Sequence, residues 1–149
     1  MTDRVVAHQG AACWATLFTH AHYLPCLAVL LQSMRACQTR YPLVVMVTKT
    51  VDARTRERLT RMGCVLRDVD AWRVPHADGS LAFERFQNVW TKLRAFELYE
   101  YERVVMIDSD MLMCHNMDEL FDLPLERGMI AAALACTCNP KQIPTYPAE

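Results

Sequence analysis

Three short apolar runs separated by helix-patterned stretches constrain this chain more than any other feature. ACWATLFT (within residues 11 to 19) and YPLVVMVT (41–48) are too short for ordinary helices and too continuously apolar for loops, so they read as buried strands, and CVLRDVD (64–70) reads as a third strand. Between the first two, Leu24, Leu27, Ala28, Leu31 and Met34 or Arg35 recur at helical spacing, and Pro25 is tolerated in a first turn. Between the second and third, DARTRERLTRMG predicts a charged surface helix that starts at an Asp52 cap and stops at Gly63. Strands joined through helices pair in parallel, so the expected class is α/β with a mostly parallel sheet, in a single domain over residues 1–149.

Beyond the third strand, Pro75 and Asp78-Gly79 mark a loop over residues 70–86. FQNVWTKLRAFELYEYE then predicts an amphipathic helix with Val89, Leu93, Phe96 and Tyr99 or Glu100 on its apolar side. It leads into ERVVMIDSDMLMCHNMDELF, where Val104 to Ile107 read as another strand. NMDELFDLP predicts a short capped helical turn closed by Pro124, and GMIAAALACTC a further strand. Residues 139–149 hold three prolines and read as a loop.

The net charge of −1 argues against nucleic-acid binding through bulk electrostatics, yet charge is unevenly spread. Residues 97 to 126 carry nine Asp and Glu against one Arg, so a cation belongs in that half. The seven cysteines are odd in number, lack a paired spacing and follow no signal peptide; they imply reduced thiols and a cytoplasmic address. The longest apolar stretch, Leu24 to Leu31, is too short to span a bilayer, which takes about 20 residues.

Asp108-Ser109-Asp110 is the chemically pointed part of the chain. Aspartate is a poor strand residue and costly to bury unpaired, yet two stand where an apolar strand should emerge. In open parallel sheets, ligands sit beyond the carboxyl ends of the strands. Alternate residues of an extended turn can aim two carboxylates at one hard cation, leaving other positions to water or phosphate oxygens. A solvated turn is the competing reading. His20, His22 and His115 could in principle hold zinc, although no ligand spacing supports it. Cys136 and Cys138 read as buried small residues rather than a redox pair.

Taken together, ATLFTHAHYLPCLAVLLQSM, WTKLRAFELYEYERVVMIDSDML and NMDELFDLP resemble, in order, segments of glycosyltransferase family 8, retaining enzymes that include glycogenin and galactinol synthase. The resemblance covers nearly the whole chain and, at its C-terminal tail, is to fungal-type members. It implies the GT-A nucleotide-diphosphosugar transferase fold, a UDP-glucose or UDP-galactose donor and a divalent cation, usually Mn²⁺. It places Leu17, Thr19, His20 and Tyr23 at the nucleoside, with the Tyr23 ring stacking on the base; His20 departs from the asparagine of many relatives. It places Lys92 by the donor phosphates, Asp108 and Asp110 on the metal, and Ser109 at the donor between them. Against that stand a packing role for Tyr23 and a solvated face for Lys92. Relatives continue past residue 149 with an acceptor side, so the chain is expected to be the donor-binding half, its acceptor a sugar, polyol or protein. The alternatives are a non-catalytic module that binds nucleotide-sugar or a partner protein, and a haloacid dehalogenase-type phosphohydrolase, whose strand also ends in D-x-D.

Overall fold

A computed structural model of the protein describes residues 12–72, 89–126 and 128–133. Strands β1 (Ala12–Phe18), β2 (Leu43–Val47), β3 (Val65–Asp68) and β4 (Arg103–Met106) form one parallel sheet in the order β3-β2-β1-β4. Helix α1 (Leu24–Ala36) joins β1 to β2, and α2 (Ala53–Arg61) joins β2 to β3. Among the described residues there are also 3-10 segments at Ala21–Tyr23, Val89–Glu97 and Asp118–Asp122.

β1 is central because both of its faces are apolar. Trp14 and Phe18 turn to one side and pack with Leu27, Leu30 and Met34 of α1 and Leu59 of α2, while Cys13 and Ala15 turn to the other and pack with Leu98. Alternation along an extended strand puts successive side chains on opposite faces, and a strand covered on both has no polar side to show. Burial raises the Cys13 thiol to about 12, with Glu100 adding to the rise, and it raises Cys64 to about 11. Cys13, Cys26, Cys37, Cys64 and Cys114 are all free thiols.

The helix boundaries follow their local chemistry. Pro25 sits in the first turn of α1, where its missing N–H costs nothing. The Asp52 carboxylate accepts the Thr55 amide at 2.9 Å and the Thr55 hydroxyl at 2.7 Å; the hydroxyl bond, then the amide, hold its pKa below the usual range. α2 ends where Gly63 takes φ +88°, with the Cys64 amide bonded back to the Leu59 carbonyl. α1 ends the same way at Gln38, φ +56°, a conformation that a side chain adopts at a cost.

Two expectations are corrected. Residues 89–97 form a 3-10 segment, and the stripe Val89, Leu93, Phe96 and Tyr99 faces solvent. Thr91, Ala95 and Leu98 turn inward instead. The rotation is set by polar ties: the buried Thr91 hydroxyl accepts the Trp72 amide at 3.0 Å, and Lys92 is drawn to Asp108. Residues 128–133 of GMIAAALACTC are not a strand; the chain turns at Gly128, φ +85°, and all six residues are exposed. An apolar run becomes a strand only beside a partner, and among the described residues none pairs with it. Most of the 70–86 loop, Cys136 and Cys138, and residues 139–149 lie outside the described residues. Among the described residues no helix is long and apolar enough to cross a membrane.

Candidate functional site

The chain leaves β1 for β2 and β3 on one side of the sheet and later returns to place β4 on the other. The strand order therefore reverses between β1 and β4, and at that point an open α/β sheet parts at its carboxyl edge to form a ligand crevice. Asp108 follows β4 there. β4 pairs with β1 from Ala12↔Arg103 to Ala15↔Met106, and the Ile107 amide continues the ladder to the Ala15 carbonyl at 2.9 Å. Carrying that register forward two residues sets Asp108 beside Leu17. Leu17, Thr19 and Asp108 thus share the edge.

The remaining site residues fall into two groups. Around the end of β1, the Thr19 hydroxyl lies 2.8 Å from His20 Nδ1, and the His22 ring packs on Tyr23 with centroids 4.2 Å apart. Tyr23 keeps 38% of its surface exposed, enough to offer a face to a planar ligand. Around the end of β4, Lys92 Nζ lies 2.5 Å from Asp108 Oδ1, both side chains part-exposed. Lys92 is therefore not a freely solvated surface residue. The Met111 amide bonds to the Asp108 carbonyl at 3.2 Å, making Asp108-Ser109-Asp110-Met111 a tight turn. Asp110 is exposed and, among the described residues, has neither a hydrogen-bond nor an ion-pair partner.

Sequence reasoning did not single out the polar edge beyond β2 and β3. The Thr50 hydroxyl donates to the Thr19 carbonyl at 2.7 Å and lies 2.6 Å from the Thr48 hydroxyl. Arg56 reaches back from α2 to the Thr48 and Val51 carbonyls, each at 2.9 Å, and to Asp68 at 2.7 Å. Lys49, Asp68, Val69 and Asp70 line a shallow cleft of about 190 Å³. Its Lys49–Asp70 pair, at 2.9 Å, raises the lysine pKa and lowers that of the aspartate. The available signal was positional: VTKTVD and RDVD place these residues directly after strands whose carboxyl ends face one edge.

Two hard oxygen ligands one residue apart, among the described residues one unengaged and the other held only by a displaceable ammonium, suit an open site for Mg²⁺ or Mn²⁺. Among the described residues no third His, Cys, Asp or Glu converges on them, so the pair alone would not complete a coordination shell. The same holds, among the described residues, for the zinc ligand set that the spacing already disfavours. His20 and His22 lie with ring centroids 5.4 Å apart, and neither forms a group of three possible ligands with His115.

Beyond the turn, the chain is stitched back over α1. The Met113 amide donates to Ser33 Oγ at 3.0 Å, and the Asn116 amide group donates to the Cys37 and Gln38 carbonyls. Asp118 is 4% exposed. Its Oδ1 accepts the Thr39 hydroxyl at 2.5 Å, which in turn accepts the Trp14 indole N–H at 2.8 Å, and its Oδ2 accepts the Arg40 amide at 2.9 Å. Phe121 stands edge-on to Trp14 at 5.0 Å. These ties fix the path of the chain leaving Asp110.

The fold and this edge define an open parallel α/β domain with the Asp108-Ser109-Asp110 turn at its switch point, the class in which nucleotides bind beyond the strands. The model of the family described as Glycosyl transferase family 8 matches residues 15–144, and the chain belongs to that family, whose fold is GT-A. It is 30% identical over 139 residues to galactinol synthase 5 of Arabidopsis thaliana, covering 92% of this chain and 41% of that protein. It is 34% identical over 110 residues to galactinol synthase 2 of Ajuga reptans, covering 74% and 37%. Galactinol synthase 2 of Solanum lycopersicum is 32% identical over 110 residues, covering 74% and 32%. The chain thus spans about two fifths or less of the length of these relatives.

Proposed function

We propose that these residues form the donor-binding part of a retaining, UDP-sugar-dependent hexosyltransferase. The observation that carries this reading is the meeting of Lys92 with the Asp108-Ser109-Asp110 turn in the crevice between β1 and β4. A diphosphate complements such a site because it brings negative charge for an ammonium and oxygens for a shared cation. Leu17, Thr19, His20 and Tyr23 take the nucleoside at the end of β1, and Lys92 and Ser109 face the diphosphate. Asp108 and Asp110 would hold Mn²⁺ or Mg²⁺, which as a Lewis acid would offset the charge that develops on the UDP leaving group.

The protein's own groups then have little proton transfer to perform. UDP is a good leaving group, and the two carboxylates lie too close in sequence to flank a sugar from opposite faces as in glycoside hydrolases. Their task is orientation and charge compensation. The relatives named galactinol synthase make UDP-galactose the first donor to test, with UDP-glucose second. Free thiols suit a reducing, cytoplasmic setting. The phosphohydrolase reading loses ground because the D-x-D follows the last strand of the sheet at its edge, not the first.

Thermal unfolding tests the proposal. UDP with Mn²⁺, each near a hundred times its dissociation constant, should raise Tm by about 5 °C or more. The same pair should leave Asp110→Ala unmoved, because the variant lacks one of the two proposed cation ligands; among the described residues Asp110 has no hydrogen-bond or ion-pair partner, so the fold should be kept. An equal shift in the variant, or none in the parent chain, contradicts the proposal.

A further inference from the structure

Two anions compete for Lys92. Its ammonium already lies 2.5 Å from Asp108 Oδ1, and under the reading above it also faces the donor diphosphate. Its position is not incidental, since the neighbouring Thr91 is fully buried and held by the Trp72 amide, so the backbone beneath the lysine is fixed. Asp110, one turn residue beyond, carries no such counter-ion among the described residues.

We infer that Lys92 is an internal counter-ion that occupies the metal-site carboxylate until the donor arrives, and that this makes divalent-cation and diphosphate binding cooperative. The inference rests on the donor-site reading and adds a mechanism to it. With Lys92 on Asp108, an incoming dication meets a positive charge at its first ligand and must displace it. A diphosphate gives the displaced ammonium a second anion, so the charge expelled by the metal is accepted by the other ligand. Each ligand then favours the state the other needs, and the coupling between them is reciprocal. The Met111 amide, bonded to the Asp108 carbonyl, keeps the Asp108-Ser109-Asp110 turn in place while the lysine changes partner.

The test is Mn²⁺ binding to the 149-residue chain, read from the free-ion electron paramagnetic resonance signal, with and without UDP. Without nucleotide, Lys92→Met and Lys92→Gln should bind Mn²⁺ about fivefold more tightly than the parent, because the competitor is gone. In the same variants UDP should bind more weakly, and the factor by which UDP tightens Mn²⁺ should fall below the parent's while staying above one, because the diphosphate oxygens also ligate the cation. Lys92→Arg should stay within about twofold of the parent. Arg61→Met removes an exposed charge on α2 that is paired with Glu57 and should leave Mn²⁺ affinity unchanged, which separates a local effect from net charge. Unchanged or weaker Mn²⁺ binding in Lys92→Met and Lys92→Gln overturns the inference while leaving the donor site standing. Loss of the fold in both makes the lysine a structural strut and overturns it as well. Failure of the parent and all variants to bind either ligand overturns the donor-site reading itself.

Discussion

Replacing Trp14 with alanine should destabilise the chain by about 3–5 kcal/mol, the largest effect of any substitution considered. Trp14 is fully buried in the middle of β1, with Leu43 as its pairing partner and Phe121 edge-on to its ring. Alanine leaves a cavity between the sheet and the returning 113–122 segment and strips the Thr39 hydroxyl of its indole donor. A domain of this size commonly has about 5–15 kcal/mol in total, so the variant should unfold at far lower urea. Trp14→Phe keeps an aromatic ring against Phe121 while losing the N–H, and should cost about 1–2 kcal/mol. Urea titrations followed by far-ultraviolet circular dichroism measure both. Equal midpoints for Trp14→Ala and the parent would mean that the ring is not part of the core.

Asp118→Ala should cost about 1–3 kcal/mol, because it leaves the part-buried Thr39 hydroxyl and the Arg40 amide without their acceptor. Burial alone would raise the Asp118 pKa, but bonds from Thr39, Arg40 and Asn116 outweigh it and hold the carboxyl below its ordinary value. The folded-state pKa lies below that of the unfolded chain, so the stabilisation is fully present above the unfolded value of about 4 and is lost as pH falls through the folded one. The pH slope of stability in this acid range should therefore be steeper in the parent than in Asp118→Asn, as read from urea midpoints between about pH 5 and pH 2. Trp14 and Asp118 both contact Thr39, so their effects should not add; a double variant less damaged than the sum of the singles reports the shared network.

This network also explains what was and was not legible in the sequence. Local signals carried well: continuous apolar runs found β1, β2, β3 and β4, the Asp52 cap and Gly63 bounded α2, and Pro25 took its place in α1. The position of Asp108 at the carboxyl edge followed from the strand that precedes it. Asp118 read only as part of a capped turn, because its partners Thr39 and Arg40 stand 79 and 78 residues away and no spacing rule links them. The rotation of residues 89–97 failed for the same reason. Helical periodicity favours burying Val89, Leu93 and Phe96, but tertiary ties at Thr91 and Lys92 turn that face outward. Of the candidate site, the carboxylates could be reasoned from chemistry, the roles of Tyr23 and Lys92 came through resemblance, and the Lys49, Arg56 and Asp68 edge needed the topology of the sheet.

The central claim is that Asp108 and Asp110, at the β1–β4 crevice, bind a divalent cation together with a UDP diphosphate. Paramagnetic broadening in an ¹⁵N-labelled chain tests it most directly, because Mn²⁺ erases nearby amide signals wherever it binds. With UDP present, substoichiometric Mn²⁺ should first remove the signals of Ser109, Asp110 and Met111, then those of Leu17 to Thr19 and Lys92, and should spare Asp118 to Asp122. Broadening centred on Asp68 and Asp70, on the acidic 118–122 turn, or spread evenly over the surface would contradict the account.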